Sequence, residues 1–197
     1  MSDEKTLDWY AKHAPFFPHS TALAPSRHLD AFLDRLRAGA CVLELGCGTG
    51  RDAARMAERG FRVDATDGVP AMVAKTNERY GLGARAMHFD ELAAIGEYDA
   101  VWAHASLLHA ARADLPGVLS AIYASLRPRG WHYASYKLGD GEGRDLLGRL
   151  HNFPSGGWLR DAYRTAGFAI EHEEAWQGEG KDGTVRGWLA LTVRRLD

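Results

Sequence analysis

Carboxylates and glycines are interleaved near position 46 in a pattern that could bind a ligand. Residues 42–50 read VLELGCGTG, an apolar run that contains Glu44 and ends in three glycines at alternate positions. A helical pattern starts directly afterwards, at Arg51. Glycine lacks the Cβ that would block a ligand and tolerates positive φ, so the pattern is typical of a strand that turns into a helix and presents its backbone to a bound molecule.

The residues beside this turn discriminate between ligands. A phosphate-binding P-loop needs Gly-Lys-Ser/Thr where this chain has Gly50-Arg51-Asp52, so that motif is excluded. A dinucleotide fingerprint needs its third glycine at position 51, and Asp52 would put a negative charge beside a pyrophosphate at a helix start. Because Glu44 adds a second carboxylate, the site favours a cationic or zwitterionic ligand over a diphosphate.

The elements that position the turn form an alternating series. Strand and helix patterns alternate five times after Ala40, with a weak third strand at 84–89, and two apolar runs at 168–176 and 184–194 close the chain. This predicts an α/β fold: a doubly wound, mostly parallel seven-stranded sheet with helices on both faces and a C-terminal antiparallel hairpin. We expect one domain over 1–197, with a helical cover at 1–39 and a Rossmann-like core at 40–197. Ligands bind at the carboxyl ends of such strands.

Composition narrows the possible partners. The chain has 197 residues and a net charge of −2, so no global basic field points to nucleic acid or an anionic membrane. Its apolar stretches are shorter than a membrane span, and its polar first residues do not resemble a signal peptide. Cys41 and Cys47 do not form a disulfide framework, which favours the cytoplasm. We expect no metal site, because His104 and His109 are five residues apart and helical zinc ligands are four apart. We also expect a monomer or homodimer.

Residues 44–50 resemble the first motif of class I S-adenosylmethionine-dependent methyltransferases. With Asp67 after the second strand, Asp90 after the third and the turn at 126–130, the resemblance covers nearly the whole chain from about Ala40. Arg129 stands where the family more often has glycine. The continuation after Gly50 resembles small bacterial members related to tellurite-resistance methyltransferases.

The resemblance implies an enzyme that transfers a methyl group from S-adenosylmethionine to a small-molecule acceptor by in-line attack and releases S-adenosylhomocysteine. Two alternatives stay open. One is an NAD-dependent oxidoreductase on a similar sheet, and the other is a non-catalytic cofactor-binding module, because a fold does not fix an activity.

The resemblance also implies residue roles. Asp67 would bind the ribose hydroxyls or cap a helix, and Asp90 would accept from the adenine amino group or be a solvated loop acid. Glu44 would lie near the cofactor ammonium or cap backbone amides of the turn, and Arg51 would pair with the cofactor carboxylate or with another acid. The full predicted cofactor-binding set is Glu44, Gly46, Cys47, Gly48, Gly50, Arg51, Asp67, Gly68, Met72, Asp90, Glu91 and Leu92.

Candidates for the acceptor side come from the N-terminus and from the ends of the fourth and fifth strands. They are Tyr10, His104, His109, Lys137 and Arg144. Methyl transfer mainly requires alignment and the exclusion of water, so no obligatory catalytic residue is expected, and the candidates for such a role are His104 and Tyr136. The glycine-rich segment 139–145 is either a solvated connector or a loop of the acceptor pocket, in which Arg144 and Lys137 would receive an anionic group.

Overall fold

The computed structural model describes residues 3–17 and 24–197. Within these ranges a seven-stranded sheet forms the centre of the molecule, and a separate two-stranded ribbon lies beside it. In chain order the strands are β1 Cys41–Leu45, β2 Arg62–Asp67, β3 Arg85–Ala86, β4 Tyr98–Ala103, β5 Leu126–Lys137, β6 Gly143–Arg144, β7 Leu150–His151, β8 Phe168–Glu179 and β9 Val185–Arg195.

The order of the main sheet is β3-β2-β1-β4-β5-β9-β8. The first five of these strands are mutually parallel, and β9 inserts antiparallel between β5 and β8. The strand order reverses between β1 and β4, which places a topological switch point directly above the glycine turn. The fold class predicted from the sequence, a doubly wound sheet closed by an antiparallel hairpin, is confirmed.

Helices lie on both faces of the sheet. In the described ranges they are α1 Glu4–His13, α2 Leu29–Leu33, α3 Arg51–Glu58, α4 Pro70–Tyr80, α5 Leu115–Ser125 and α6 Gly156–Thr165, with 3-10 turns at Ala14–Phe16, Phe89–Glu91 and Leu107–His109. None of the helices in the described ranges combines the length and the apolar character needed to cross a bilayer.

Local sequence signals set the helix ends. The Asp3 carboxylate caps α1 by accepting from the Thr6 backbone N–H at 2.9 Å, and the Ser155 hydroxyl caps α6 by accepting from the Trp158 N–H at 3.3 Å. Pro70 is the first residue of α4, where its missing N–H costs nothing, and Gly81 ends that helix with φ of +63°. These caps fix where α1 and α4 meet the site.

The central strand β4 is apolar from Ala100 onward. Ala100, Val101, Trp102 and Ala103 of β4 are completely buried, as expected for a central parallel strand covered on both faces. The Trp102 ring stacks on Tyr133 of β5 with centroids 4.0 Å apart. This packing makes the carboxyl end of β4 a rigid support for the residues that follow it.

Two predicted elements differ from the structure. The third strand is only Arg85–Ala86, not 84–89, because the chain turns away after the Met87 N–H donates to the Asp67 carbonyl at 3.0 Å. The segment at 139–145, predicted as a loop, contains β6, which pairs antiparallel with β7. The first difference depends on a bond to another strand, and the second on a hairpin of two-residue strands, which are too short to leave a periodic pattern in the sequence.

Gly50 is required by packing between two helices. Its φ is +79°, and a Cβ there would lie 2.6 Å from Thr76 Cγ2 of α4. Gly60 has a nearly equal φ of +82°, but a Cβ there would meet nothing within 4 Å. Substitutions at the two positions therefore separate the cost of backbone strain from the cost of steric overlap with Thr76.

We expect Gly60→Ala to lower the free energy of unfolding by about 1–2 kcal/mol, the cost of a side chain in the left-handed region. Gly50→Ala should cost a further ~1–3 kcal/mol, because α4 must move away from the new methyl group. Urea denaturation of both variants measures the difference. Equal losses in the two variants would show that the contact with Thr76 is unimportant.

Candidate functional site

A cavity of about 510 Å³ lies at the carboxyl ends of β1, β2 and β4, with α1 across it. Pockets of this size are typical of small-ligand and cofactor sites. Its lining residues are Asp3, Thr6, Leu7, Tyr10, Phe17, Glu44, Gly46, Cys47, Gly48, Thr49, Arg51, Asp52, Asp67, Gly68, Val69, Met72, Met87, His88, Phe89, His104, Ala105, Ser106, His109 and Lys181.

The glycine turn forms the edge of this cavity. Gly46 adopts φ of +82°, and a Cβ there would lie 2.5 Å from the Cβ of Ser106, so β1 and the segment after β4 approach each other only because position 46 is glycine. Gly48 also has positive φ, but a Cβ there would meet no protein atom within 4 Å. Gly48 therefore leaves its backbone open to a ligand, as the sequence predicts.

Asp67 is held in place by the backbone. Its carboxylate oxygens accept from the N–H groups of Gly48 and Val69, each at 2.8 Å. The N-cap of α4 is Val69 rather than Asp67, so helix capping does not explain this acid. Each oxygen keeps a second acceptor position, and burial raises the pKa of Asp67 against the opposing effect of the two N–H groups. Asp67 is thus an oriented carboxylate on the cavity wall.

Glu44 carries a buried oxygen that lacks a partner. The residue is only 3% exposed, and among the described residues no hydrogen-bond partner is present for its Oε2. Burial raises the pKa of Glu44 well above its ordinary value, and the neighbouring Asp52 and Asp67 raise it further. A cationic group in the cavity would satisfy this oxygen and offset the repulsion.

Asp52 has a structural role that the sequence did not suggest. Its carboxylate accepts from the Ser26 backbone N–H at 2.8 Å, the Ser26 hydroxyl at 2.6 Å and the Trp102 indole at 3.0 Å. Arg51 donates to the Ser26 hydroxyl at 3.1 Å and lies 3.6 Å from Asp52. These bonds attach the chain before α2 to the start of α3. Arg51 also lines the cavity.

Cys47 lines the cavity as a thiol. Burial raises its pKa well above the ordinary value, and Glu44 and Asp67 raise it further. Its Sγ lies 3.8 Å from the Thr76 hydroxyl. The thiolate needed for nucleophilic attack is therefore disfavoured here.

The segment after β3 differs from the sequence-based placement. Met87, His88 and Phe89 line the cavity, whereas the predicted Asp90, Glu91 and Leu92 do not. Because β3 ends three residues earlier than predicted, the residues that reach the site come earlier too. The buried His88 Nδ1 has no hydrogen-bond partner in the described ranges and is a polar atom available to a ligand. Glu91 instead accepts from the His88 backbone N–H at 2.6 Å.

Three of the predicted acceptor-side residues come together in the cavity. Tyr10 of α1 bonds His109 through its hydroxyl and Nε2 at 3.0 Å, and the His109 Nδ1–H donates to the Leu150 carbonyl at 2.6 Å. His104 follows β4 and contacts the Ser135 hydroxyl through Nδ1 at 3.2 Å. Burial lowers the pKa of His104 to about 4 and that of His109 to about 3. Both imidazoles are therefore neutral at pH 7.

Four other predicted residues lie outside the cavity. The Lys137 ammonium is buried 3.5 Å from Asp182, and Arg144 pairs with Asp3 at 2.8 Å. Tyr136 is buried in the core, where its hydroxyl lies 2.9 Å from that of Tyr163. Gly50 faces α4. Each of these four residues faces another part of the protein instead of the cavity.

Lys181 is the main addition to the predicted set. It lies on the turn between β8 and β9, more than a hundred residues from the glycine turn, and no local motif marks it. Ser106 also lines the cavity, with a buried hydroxyl that lacks a partner in the described ranges. In the same ranges, no three His, Cys, Asp or Glu side chains are grouped as metal ligands would be.

Comparison with known proteins supports the chemistry that this geometry suggests. Residues 42–130 match a family model described as a methyltransferase domain. No curated protein matches the sequence. Solved structures with a similar fold include the 1,6-didemethyltoxoflavin-N1-methyltransferase of Burkholderia thailandensis, solved with 1,6-didemethyltoxoflavin and S-adenosylhomocysteine bound, at 24% identity over 96% of this chain and 84% of that one, with a TM-score of 0.73.

Two further structures agree with it. One is a SAM-dependent methyltransferase of Methanosarcina mazei, at 15% identity, 88% and 99% coverage of the two chains and a TM-score of 0.74. The other is an S-adenosylmethionine-dependent methyltransferase of Mesorhizobium loti, at 19% identity, 86% and 98% coverage and a TM-score of 0.68. These likenesses establish the shared fold.

The domain matched over residues 42–130 makes this protein a methyltransferase, and its fold is shared with solved S-adenosylmethionine-dependent methyltransferases. Its cofactor is S-adenosylmethionine. The chemistry of the cavity wall fits that molecule: the Glu44 Oε2 lacks a partner that a cationic group would supply, the Asp67 carboxylate keeps acceptor positions, and the backbone at Gly48 is open.

Glu44 should make the stability of the ligand-free protein depend on pH. Its folded pKa lies above the ordinary 4.5, so between these values the native state holds more protons than the unfolded state, and the free energy of unfolding falls as pH rises. Glu44→Gln should remove this slope and raise stability at pH 7. Urea titrations from pH 4 to pH 8 measure it, with the exposed Glu58→Gln as control, and an unchanged slope would refute the assignment.

Proposed function

We propose that this protein transfers the methyl group of S-adenosylmethionine to a small-molecule acceptor held beneath α1. The observation that carries the proposal is the placement of the partnerless Glu44 oxygen and the oriented Asp67 carboxylate in the same cavity as Tyr10, His104 and His109. One side of the cavity suits a cationic cofactor, and the other provides polar and aromatic groups for an acceptor.

The cofactor residues act by binding and orientation. When bound, S-adenosylmethionine supplies a methyl group made electrophilic by a sulfonium sulfur. Asp67 would accept from the ribose hydroxyls, and Glu44 would pair with the ammonium group. Alignment of two bound reactants contributes on the order of 7–11 kcal/mol to lowering a barrier, so these contacts serve the reaction without any proton transfer by the protein.

Several features favour a small acceptor. Helix α1 covers the cavity and is fastened at its N-terminal end: Asp3 pairs with Arg144, and the Thr6 hydroxyl accepts from the Leu150 N–H at 2.8 Å. A covered cavity of about 510 Å³ holds a cofactor and a small molecule better than a polymer. The Burkholderia thailandensis enzyme, with 1,6-didemethyltoxoflavin bound, provides a precedent on this fold. The relationship to tellurite-resistance enzymes stays a prediction from residues 50–52.

Calorimetry with S-adenosylhomocysteine tests the proposal. We expect the native protein to bind it and to give no heat with NADH. Asp67→Ala should weaken binding by about 10–100-fold, since hydrogen bonds to a charged group contribute roughly 1.5–3 kcal/mol. Asp161→Ala, at an exposed position on α6, should leave the affinity unchanged.

A second variant guards against misfolding of the first. Glu44→Gln keeps the size of the side chain and should weaken binding by about tenfold through loss of the charge. Native protein that binds NADH but not S-adenosylhomocysteine would indicate an oxidoreductase. Binding without turnover over a broad panel of acceptors would indicate a non-catalytic module.

A further inference from the structure

Lys181 is held at the cavity by a built turn. Beneath it, the buried Lys137 ammonium pairs with Asp182 at 3.5 Å, and a Cβ at Gly180 would overlap both of these side chains. The Gly180 N–H donates to the Thr184 carbonyl at 2.9 Å, and the Gly183 N–H donates to the Gly180 carbonyl at 2.9 Å. The turn between β8 and β9 is thereby closed, and Lys181 is presented to the cavity while remaining exposed to solvent.

Three other cations on this side of the site already have anionic partners. Arg149 is bonded to Asp145 at 2.6 Å, Arg144 to Asp3 at 2.8 Å and Lys137 to Asp182. Among the described residues, Lys181 has no carboxylate within ion-pairing distance, and its ammonium lies 3.5 Å from the centroid of the Phe17 ring. Partial burial and the charge of Arg149 lower the pKa of Lys181. An anion at this position would reverse that effect.

Tyr10 and His109, the polar groups beside Lys181, have their protons in use and cannot compensate an anion: the His109 Nδ1–H donates to the Leu150 carbonyl, so the Tyr10 hydroxyl donates to His109 Nε2. Arg149 donates to the Tyr10 hydroxyl at 2.7 Å, and that hydroxyl lies 3.0 Å from His109 Nε2. Tyr10 packs 6.2 Å from Phe17, which Lys181 covers. Lys181, Phe17, Tyr10 and His109 therefore form one continuous wall, which we call the lysine wall. It combines aromatic surface with one cation, Lys181, that has no carboxylate partner among the described residues.

The opposite chemistry lies at the glycine turn. Glu44, Asp52 and Asp67 are close enough to raise the pKa of Glu44 by repulsion, and Arg51 is the cation that faces them. An anionic acceptor would be repelled there, whereas the cationic methyl donor would be attracted. The cavity thus separates the two reactants by charge.

We propose that the methyl acceptor is an organic anion, an aromatic or other flat molecule with a carboxylate or similar acidic group, and that Lys181 selects it by pairing with that group. The inference depends on the proposed function, because it treats the lysine wall as the acceptor side of a methyltransferase. It replaces Lys137 and Arg144, which the sequence suggests as receivers of an anionic group, with a residue that has no carboxylate partner among the described residues. Lys181 acts here in binding and specificity and needs no proton transfer.

Probe binding tests the assignment. Benzoate and its neutral isostere benzamide are titrated calorimetrically into protein saturated with S-adenosylhomocysteine. We expect the native protein to bind benzoate at least about tenfold more tightly, the effect of one charge-assisted contact. Lys181→Met should bring the two affinities within about twofold, and Lys181→Arg should keep the preference. Lys5→Met, which removes the same charge at an exposed position of α1 outside the cavity, should also keep it.

The outcomes separate the two proposals. Failure of S-adenosylhomocysteine to bind the native protein would refute the proposed function. If it binds, the organic-anion assignment is overturned by equal affinities for benzoate and benzamide, by a preference that survives Lys181→Met, or by no benzoate binding at 50 mM. A Lys181→Met protein that binds S-adenosylhomocysteine normally and has lost the preference supports it, because the variant is then folded with an intact cofactor side.

Discussion

The site depends on the cost of burying carboxyl groups next to one another. Glu44, Asp52 and Asp67 meet where the carboxyl ends of β1 and β2 join the start of α3. Asp52 is compensated by Ser26 and Trp102, and Asp67 by two backbone N–H groups. Glu44 keeps one oxygen without a partner in the described part of the protein. A positively charged ligand would supply the missing partner of this oxygen. The folded protein therefore favours a cation at this point before any ligand binds.

Polar bonds between the core and the N-terminal segments hold the cover over the cavity. Ser26 and α1 belong to the N-terminal part of the chain, and both are fastened by polar bonds to the core: Ser26 through Asp52, and α1 through Arg144, Arg149 and the Leu150 N–H. The Lys75 ammonium also donates to the Ala14 and Phe17 carbonyls at 2.8 and 2.6 Å. These attachments are polar bonds, which suits an element that must both exclude water and admit reactants.

Individual residues show which parts of the site follow from local sequence and which do not. Gly46, Gly48 and Asp67 are predicted at the ligand side of the sheet and lie on the cavity wall, because each is within a few residues of a strand end that the hydrophobic pattern reveals. Asp90 was expected at the cavity and lies outside it, because a two-residue strand leaves almost no pattern from which to locate its end. Lys137 and Arg144 carry the positive charge that an anionic acceptor would need, but each is paired with an acid distant in the chain, Asp182 and Asp3 respectively. Nothing near Lys181 in the sequence indicates that its turn folds over the site.

The sequence by itself determined the class of fold, the strand-turn-helix at Gly46 to Gly50 and the choice of a cationic over a diphosphate ligand, because these follow from periodicity and from charges within one short segment. The tertiary structure alone decided which polar groups stay without partners and which are neutralised. Whether a polar group finds a partner depends on contacts between residues far apart in the chain, such as Asp3 and Arg144, which are separated by 141 positions. Local pattern carries no information about such contacts.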